Sequence, residues 1–166
     1  MDHRTMTLSN GNSVGVSGRR PLYTAEERRR RDETKWTLVQ GLLAPLQFLV
    51  FLVSLGLVLW FLATGEGYFA ATVSVVIKTA ILLTIMVTGA IWEKVVFGQY
   101  LFAPAFFWED VFSFAVIALH LLYVYALLAG WPPVDQANIA LAAYAAYVIN
   151  AGQFLLKLRR ARLDAA

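Results

Sequence analysis

Two adjacent carboxylates, Glu109 and Asp110, follow the aromatic run Phe106-Phe107-Trp108 and open a long apolar stretch. That is a costly way to begin a membrane span unless the charges are used. A third carboxylate, Glu93, stands beside Lys94 at the end of the preceding apolar stretch. Read as a helix, the next stretch puts Glu109, Ser113 and His120 on one stripe, because eleven residues advance about three turns and about 16 Å. Asp110 lies a quarter-turn away. Carboxyl groups and an imidazole in apolar surroundings are the groups that donate and accept protons in general acid–base catalysis. The only other histidine is His3, in the remote amino-terminal segment, so no metal site built by the protein is expected. The roles left to His120 are axial contact to a metal inside a bound ligand, or proton transfer.

Amides and lysines repeat the pattern elsewhere. Gln40 and Gln47 share a helical face with Trp36 and Ser54, and Pro45 between them frees a backbone carbonyl. Asn150, Gln153 and Lys157 follow i, i+3, i+7 spacing with Tyr147 adjoining, and Lys78 lies in the middle of an apolar stretch. Each of these also has a structural reading. The amides can tie helices together by hydrogen bonds, and Lys78 can snorkel or pair with a carboxylate. Glu93 with Lys94 can anchor a helix end, and Trp92, Phe97, Tyr100, Phe102, Phe106, Phe107 and Trp108 can form an interfacial belt.

Composition sets the elements that must hold these groups. Of 166 residues, 59% are hydrophobic and 15% charged, and 13 of the 25 charged residues fall within the first 35. That distribution points away from a soluble domain and to an all-α integral membrane bundle. The absence of cysteine removes disulfides, thiolate metal sites, CxxC redox chemistry and a cysteine nucleophile. Net charge is +3, with Lys and Arg beside apolar segments, which predicts a bilayer with anionic lipids as partner and no nucleic acid. Residues 1–22 read as a disordered polar tail without a secretory signal. Residues 23–35 read as the start of a basic interfacial helix, with Thr24 and Glu27 at capping-box spacing ahead of Arg28 to Arg31. Residues 36–158 hold four apolar stretches of spanning length, at about 36–63, 68–92, 105–129 and 136–156, before a basic tail at 159–166.

Thirteen of the 14 Lys and Arg residues precede the first stretch, lie at Lys94 in the second connection, or follow the last stretch. The first and third connections have none, so the positive-inside rule predicts a multi-pass protein with both termini cytoplasmic. With that orientation Glu93, Glu109, Gln40, Gln47, Asn150 and Gln153 surround an inner-side cavity, and His120 and Lys78 lie deeper. No GxGxxG, Walker loop, GxSxG or HExxH occurs. Pattern alone therefore predicts a carboxylate-lined pocket without naming its ligand.

Longer motifs carry a resemblance. Trp36-Thr37-Leu38-Val39-Gln40-Gly41 with Ala44-Pro45-Leu46-Gln47-Phe48, Ile91-Trp92-Glu93-Lys94-Val95-Val96-Phe97-Gly98, Phe102-Ala103-Pro104-Ala105-Phe106-Phe107-Trp108-Glu109-Asp110 and Tyr147-Val148-Ile149-Asn150 resemble the 3-vinyl bacteriochlorophyllide hydratase family of bacteriochlorophyll biosynthesis. The resemblance runs from about Leu22 to Leu163. It implies addition of water to the C3 vinyl group of a magnesium chlorin, giving a 1-hydroxyethyl group, in a bacterial inner (intracytoplasmic) membrane. It implies no separate cofactor, since the magnesium belongs to the substrate. Such a reaction needs an acid, a positioned water and a base. Glu109 or Asp110 is the expected acid, with its neighbour, Glu93 or His120 managing the water. Tetrapyrrole faces are expected against Trp92 and Trp108, a propionate near Lys94 or Gln99, and Gln40, Gln47, Asn150, Gln153 and Lys78 along the pocket. Self-association and contact with other pigment-pathway enzymes are left open. The rival expectation is a non-catalytic pigment-binding or assembly protein with His120 as axial magnesium ligand.

Overall fold

The computed structural model describes residues 22–163 as five helices: α1 (Ala25–Glu33), α2 (Lys35–Thr64), α3 (Tyr68–Phe97), α4 (Phe107–Leu128) and α5 (Pro133–Leu163). The segment 1–21, with His3, and residues 164–166 lie outside the described residues. Helices α2 to α5 are each long and apolar enough to cross a bilayer, so the protein is an all-helical membrane protein.

The α1 capping box is formed on both sides. The Thr24 amide donates to Glu27 Oε2 at 2.7 Å, and the Glu27 amide donates to Thr24 Oγ1 at 3.2 Å. Thr34 then leaves helical geometry (φ −79°, ψ 137°), closing α1, and its hydroxyl accepts the Trp36 amide to open α2. The basic segment is therefore a helix of its own. Its arginines are mostly engaged locally, Arg29 with Glu26 and Glu33, Arg30 with Glu26, and Arg31 with Asp32.

Two helices outrun their apolar stretches. Helix α3 continues from Trp92 to Phe97 because Glu93 and Val96 are buried against neighbours, not lying at a solvated end. Gly98 ends it in the left-handed region (φ 85°), a conformation only glycine adopts freely. Helix α5 starts earlier, with Pro133 in its first turn, and runs through Lys157, Arg159, Arg160 and Arg162, all good helix formers.

Around the bundle the order is α2, α3, α4, α5, closing back on α2. Most helix-to-helix contact lies within two hairpins, α2–α3 and α4–α5, and the α2–α5 and α3–α4 seams are narrower. Ala137, Ala140 and Ala143 form a buried small-residue stripe on α5 that lets backbones approach closely. Phe51, Val58, Val75, Val116, Tyr144 and their neighbours fill the main core. A second, smaller cluster of Tyr23, Val96 and Phe106, joined by Trp92, Phe97 and Phe154, closes the end of the bundle where both ends of the described residues lie. The outward faces are Leu-, Val- and Phe-rich, as a lipid solvent permits.

Candidate active site

The carboxylates converge at the end of the bundle that carries α1, the α3–α4 loop and the end of α5. Because α4 starts at Phe107, Glu109 and Asp110 fall in its first turn, where the helix dipole favours negative charge. The α3–α4 loop folds over them: the Phe102 amide donates to Asp110 Oδ2 at 2.6 Å and the Ala103 amide donates to Glu93 Oε2 at 3.2 Å. Glu93, reaching across from α3, meets the Asp110 carboxyl within hydrogen-bonding range. A hydrogen bond between two carboxyl groups needs a proton on one of them. Glu109 instead forms an ion pair with Lys157 of α5, whose ammonium also donates to the Ala105 carbonyl. Glu93, Glu109 and Asp110 are only 5%, 6% and 4% exposed, so the chemistry is concealed from both water and lipid.

Lys157 is the member that the sequence does not assign to this site. Its spacing from Asn150 and Gln153 marks the polar face of α5, but nothing in the sequence pairs it with a residue 48 positions away. The two backbone donors, Phe102 and Ala103, are equally invisible there.

The other expected residues distribute around this centre. Trp92 donates its indole N–H to Thr37 Oγ1 at 2.9 Å, and its ring packs edge-on to Phe97 and Phe106, forming an aromatic floor beside the carboxylates. Asn150 donates to Ser113 Oγ at 2.9 Å, joining α5 to α4, while its own carbonyl oxygen and that of Gln153 are buried without a protein partner. Gln40 donates to Thr88 Oγ1 at 2.8 Å, tying α2 to α3, and Gln47 is buried in α2 one turn before Phe51. Lys94 caps its own helix by donating to the Gly98 carbonyl at 2.7 Å, and Gln99 donates to Leu101 within the loop; neither reaches the carboxylates. Trp108 is 65% exposed and points away from the cluster.

His120 and Lys78 lie elsewhere. His120 is eleven residues beyond Glu109 on α4, about 16 Å along the helix, so it does not share a reacting atom with the carboxylates. Its ring bonds the Val116 carbonyl through Nδ1 at 2.8 Å and packs near Tyr144, leaving Nε2 buried and unpartnered. Lys78 is also fully buried, and its ammonium sits 3.8 Å from the centre of the Tyr147 ring with no carboxylate bonded to it. The ion pair expected for Lys78 is replaced by a cation–π contact. A shallow groove of about 260 Å³ between α2 and α3, lined by Leu49, Val50, Val53, Ser74 and Ile77, contains none of the carboxylates.

The family profile described as 2-vinyl bacteriochlorophyllide hydratase matches residues 23–160, which take in nearly all of the five helices. A protein of Cereibacter sphaeroides named 2-vinyl bacteriochlorophyllide hydratase is 77% identical over 145 residues, covering 87% of this chain and 91% of that protein. The chain belongs to the 2-vinyl bacteriochlorophyllide hydratase family. A second hydratase of the same name, from Rhodobacter capsulatus, is 72% identical over 155 residues, covering 93% of this chain and 91% of its own length. No solved structure matches the chain. The name of these hydratases numbers the vinyl group 2 where the resemblance above has 3; hydration of a ring vinyl group is common to both. The reaction that the family's name gives, hydration, calls for a proton and a water.

Proposed function

We propose that this chain hydrates the vinyl group of a bacteriochlorophyllide to a 1-hydroxyethyl group at the Glu93–Asp110–Glu109–Lys157 cluster. The observation that carries the assignment of roles is the asymmetry among the three buried carboxyls: Glu93 and Asp110 each accept only a loop amide, whereas Glu109 is ion-paired with Lys157, and we assign the proton to the unpaired two. The Glu93–Asp110 pair is the acid. It protonates the terminal vinyl carbon, and the positive charge left on the inner carbon is delocalised by the macrocycle. Water adds to that inner carbon while the Glu109 carboxylate, held in place by Lys157, takes a proton from the water. Return of that proton from Glu109 to the adjacent Asp110 resets the site, so no redox partner or separate cofactor is required. Magnesium enters as part of the substrate.

His120 is a core residue in this reading: it is fully buried, its Nδ1 bonds the Val116 carbonyl and its ring packs near Tyr144, about 16 Å along α4 from the carboxyl cluster. The positive-inside pattern supports an inner-membrane protein with both ends, and hence the cluster, at the cytoplasmic face. Arg28 and the carboxy-terminal Arg159, Arg160 and Arg162 are the basic groups best placed for anionic headgroups, since α1 engages its other arginines internally.

The test is turnover of a vinyl chlorin by the detergent-purified chain in oxygen-18 water, read by mass spectrometry. One labelled water per pigment is expected from the native chain, and a loss of about 10²–10⁴-fold in rate from Asp110→Asn or Glu109→Gln. Full turnover in both amide variants would overturn the assignment.

A further inference from the structure

The buried Asp110 carboxyl is held by the backbone of Phe102, whose ring belongs to an exposed aromatic cluster. Phe107, Asp110 and Phe114 follow i, i+3, i+7 spacing and so lie along one face of α4, with the two phenylalanines about 10.5 Å apart along the axis. The Phe102 ring stacks on Phe114, with centroids 5.6 Å apart and planes 15° from parallel, and lies 5.7 Å from Phe107. It therefore bridges the two phenylalanines that flank Asp110 in the helix, while its own amide donates to the Asp110 carboxylate. Phe102, Phe107 and Phe114 are 39%, 44% and 43% exposed on the apolar outer side, whereas Asp110 beneath is 4% exposed.

Phe102 is also the one non-glycine residue at positive φ (57°) among the described residues. A phenylalanine there is strained and persists only because its surroundings hold it. Swinging the ring outward about its side-chain torsions gives up two ring contacts and leaves the held backbone in place. A flat conjugated edge taking its place on Phe114 restores the same kind of stacking.

We propose that the gap between Phe107 and Phe114 is the docking slot for the planar macrocycle, entered sideways from the lipid, and that the Phe102 ring is the plug the substrate displaces. This rests on Asp110 as part of the proton donor. The ligand class is a flat, apolar, conjugated ring bearing an unsaturated substituent at its edge, delivered from the membrane and not through the aqueous end of the bundle.

The experiment uses the full chain in lipid vesicles and the lipid-soluble electrophile dicyclohexylcarbodiimide, to which a protonated carboxyl reached from the bilayer adds through oxygen as its proton moves to nitrogen, with peptide mapping to locate the adduct. Phe102→Gly removes the ring and suits the backbone conformation; Phe102→Asn, which also tolerates it, serves if the glycine variant does not fold. The expected result is adduct formation at Asp110 about tenfold faster in Phe102→Gly than in the native chain, and vinyl-chlorin binding weakened about tenfold in Phe114→Leu, read from the pigment absorbance shift. Unchanged adduct formation in a folded Phe102 variant, or unchanged pigment binding in Phe114→Leu, overturns the slot. Neither readout requires turnover. Full activity of Asp110→Asn would remove the chemical assignment while leaving accessibility and binding to decide the slot separately.

Discussion

Lys157 decides what kind of group Glu109 is. Without its ammonium, the Glu109 carboxylate would be buried among apolar side chains with no opposite charge. Lys157→Met is expected to lower the melting temperature and to cut turnover at least about tenfold, an interaction of roughly the size seen for other partly buried charge pairs. Adding Glu109→Gln should restore the melting temperature without restoring turnover, because the second change removes the stranded charge but not the need for a base. Equal melting temperatures for the native chain and Lys157→Met would show that the pair contributes nothing. The residues of the proposed cluster are partly readable in the sequence. Glu93, Glu109 and Asp110 stand out because carboxylates in or beside apolar stretches are rare, and His120 stands out for the same reason. Only the fold distinguishes them: three come together while His120, on the same helix, lies too deep. The backbone donors of Phe102 and Ala103 depend on how a loop without periodicity turns back, and side-chain patterns carry no record of that path.

At the scale of the elements, Gly98 and the capping residues hold the loop that covers the site. A Cβ at Gly98 would meet nothing within 4 Å, so the cost of Gly98→Ala is conformational and not steric crowding by neighbours, about 1–2 kcal/mol for an L-residue in the left-handed region. The expected outcome is a lower melting temperature with a loss of activity beyond what instability explains, since the loop it launches supplies both carboxylate-bonding amides. An activity loss that merely tracks the unfolded fraction would detach the loop from catalysis. Helix α1 offers a pH test. Hydrogen bonds from Arg29 and Arg30 lower the Glu26 carboxyl to about 2. Its folded value lies below the unfolded one, so its contribution is present above about 4.5 and is lost as pH falls toward about 2. Hydrogen exchange in α1 should therefore be flat, after correction for intrinsic rates, from neutral pH to about 5 and accelerate only below. The capping box that starts α1 and the four spans are legible as patterns. The break at Thr34 and the long ends of α3 and α5 are not, because hydropathy marks where a helix leaves lipid and says nothing about where its hydrogen bonding stops.

The molecule as a whole joins two hairpins, an arrangement that span counting does not reveal. Its orientation can be tested cleanly because the chain has no cysteine. In vesicles with the cytoplasmic face outward, an impermeant maleimide should label Arg160→Cys and leave Glu66→Cys unlabelled until the membrane is opened. The reverse pattern would place the cluster on the other side. The carboxyl pair also straddles the seam between the hairpins, with Glu93 from the first and Asp110, Glu109 and Lys157 from the second. A chain whose second half is still leaving the insertion machinery has one carboxyl of the pair and nothing to share a proton with. On the proposed site, catalytic competence arrives last in biogenesis, and a nascent or half-inserted copy is chemically silent toward any pigment it meets.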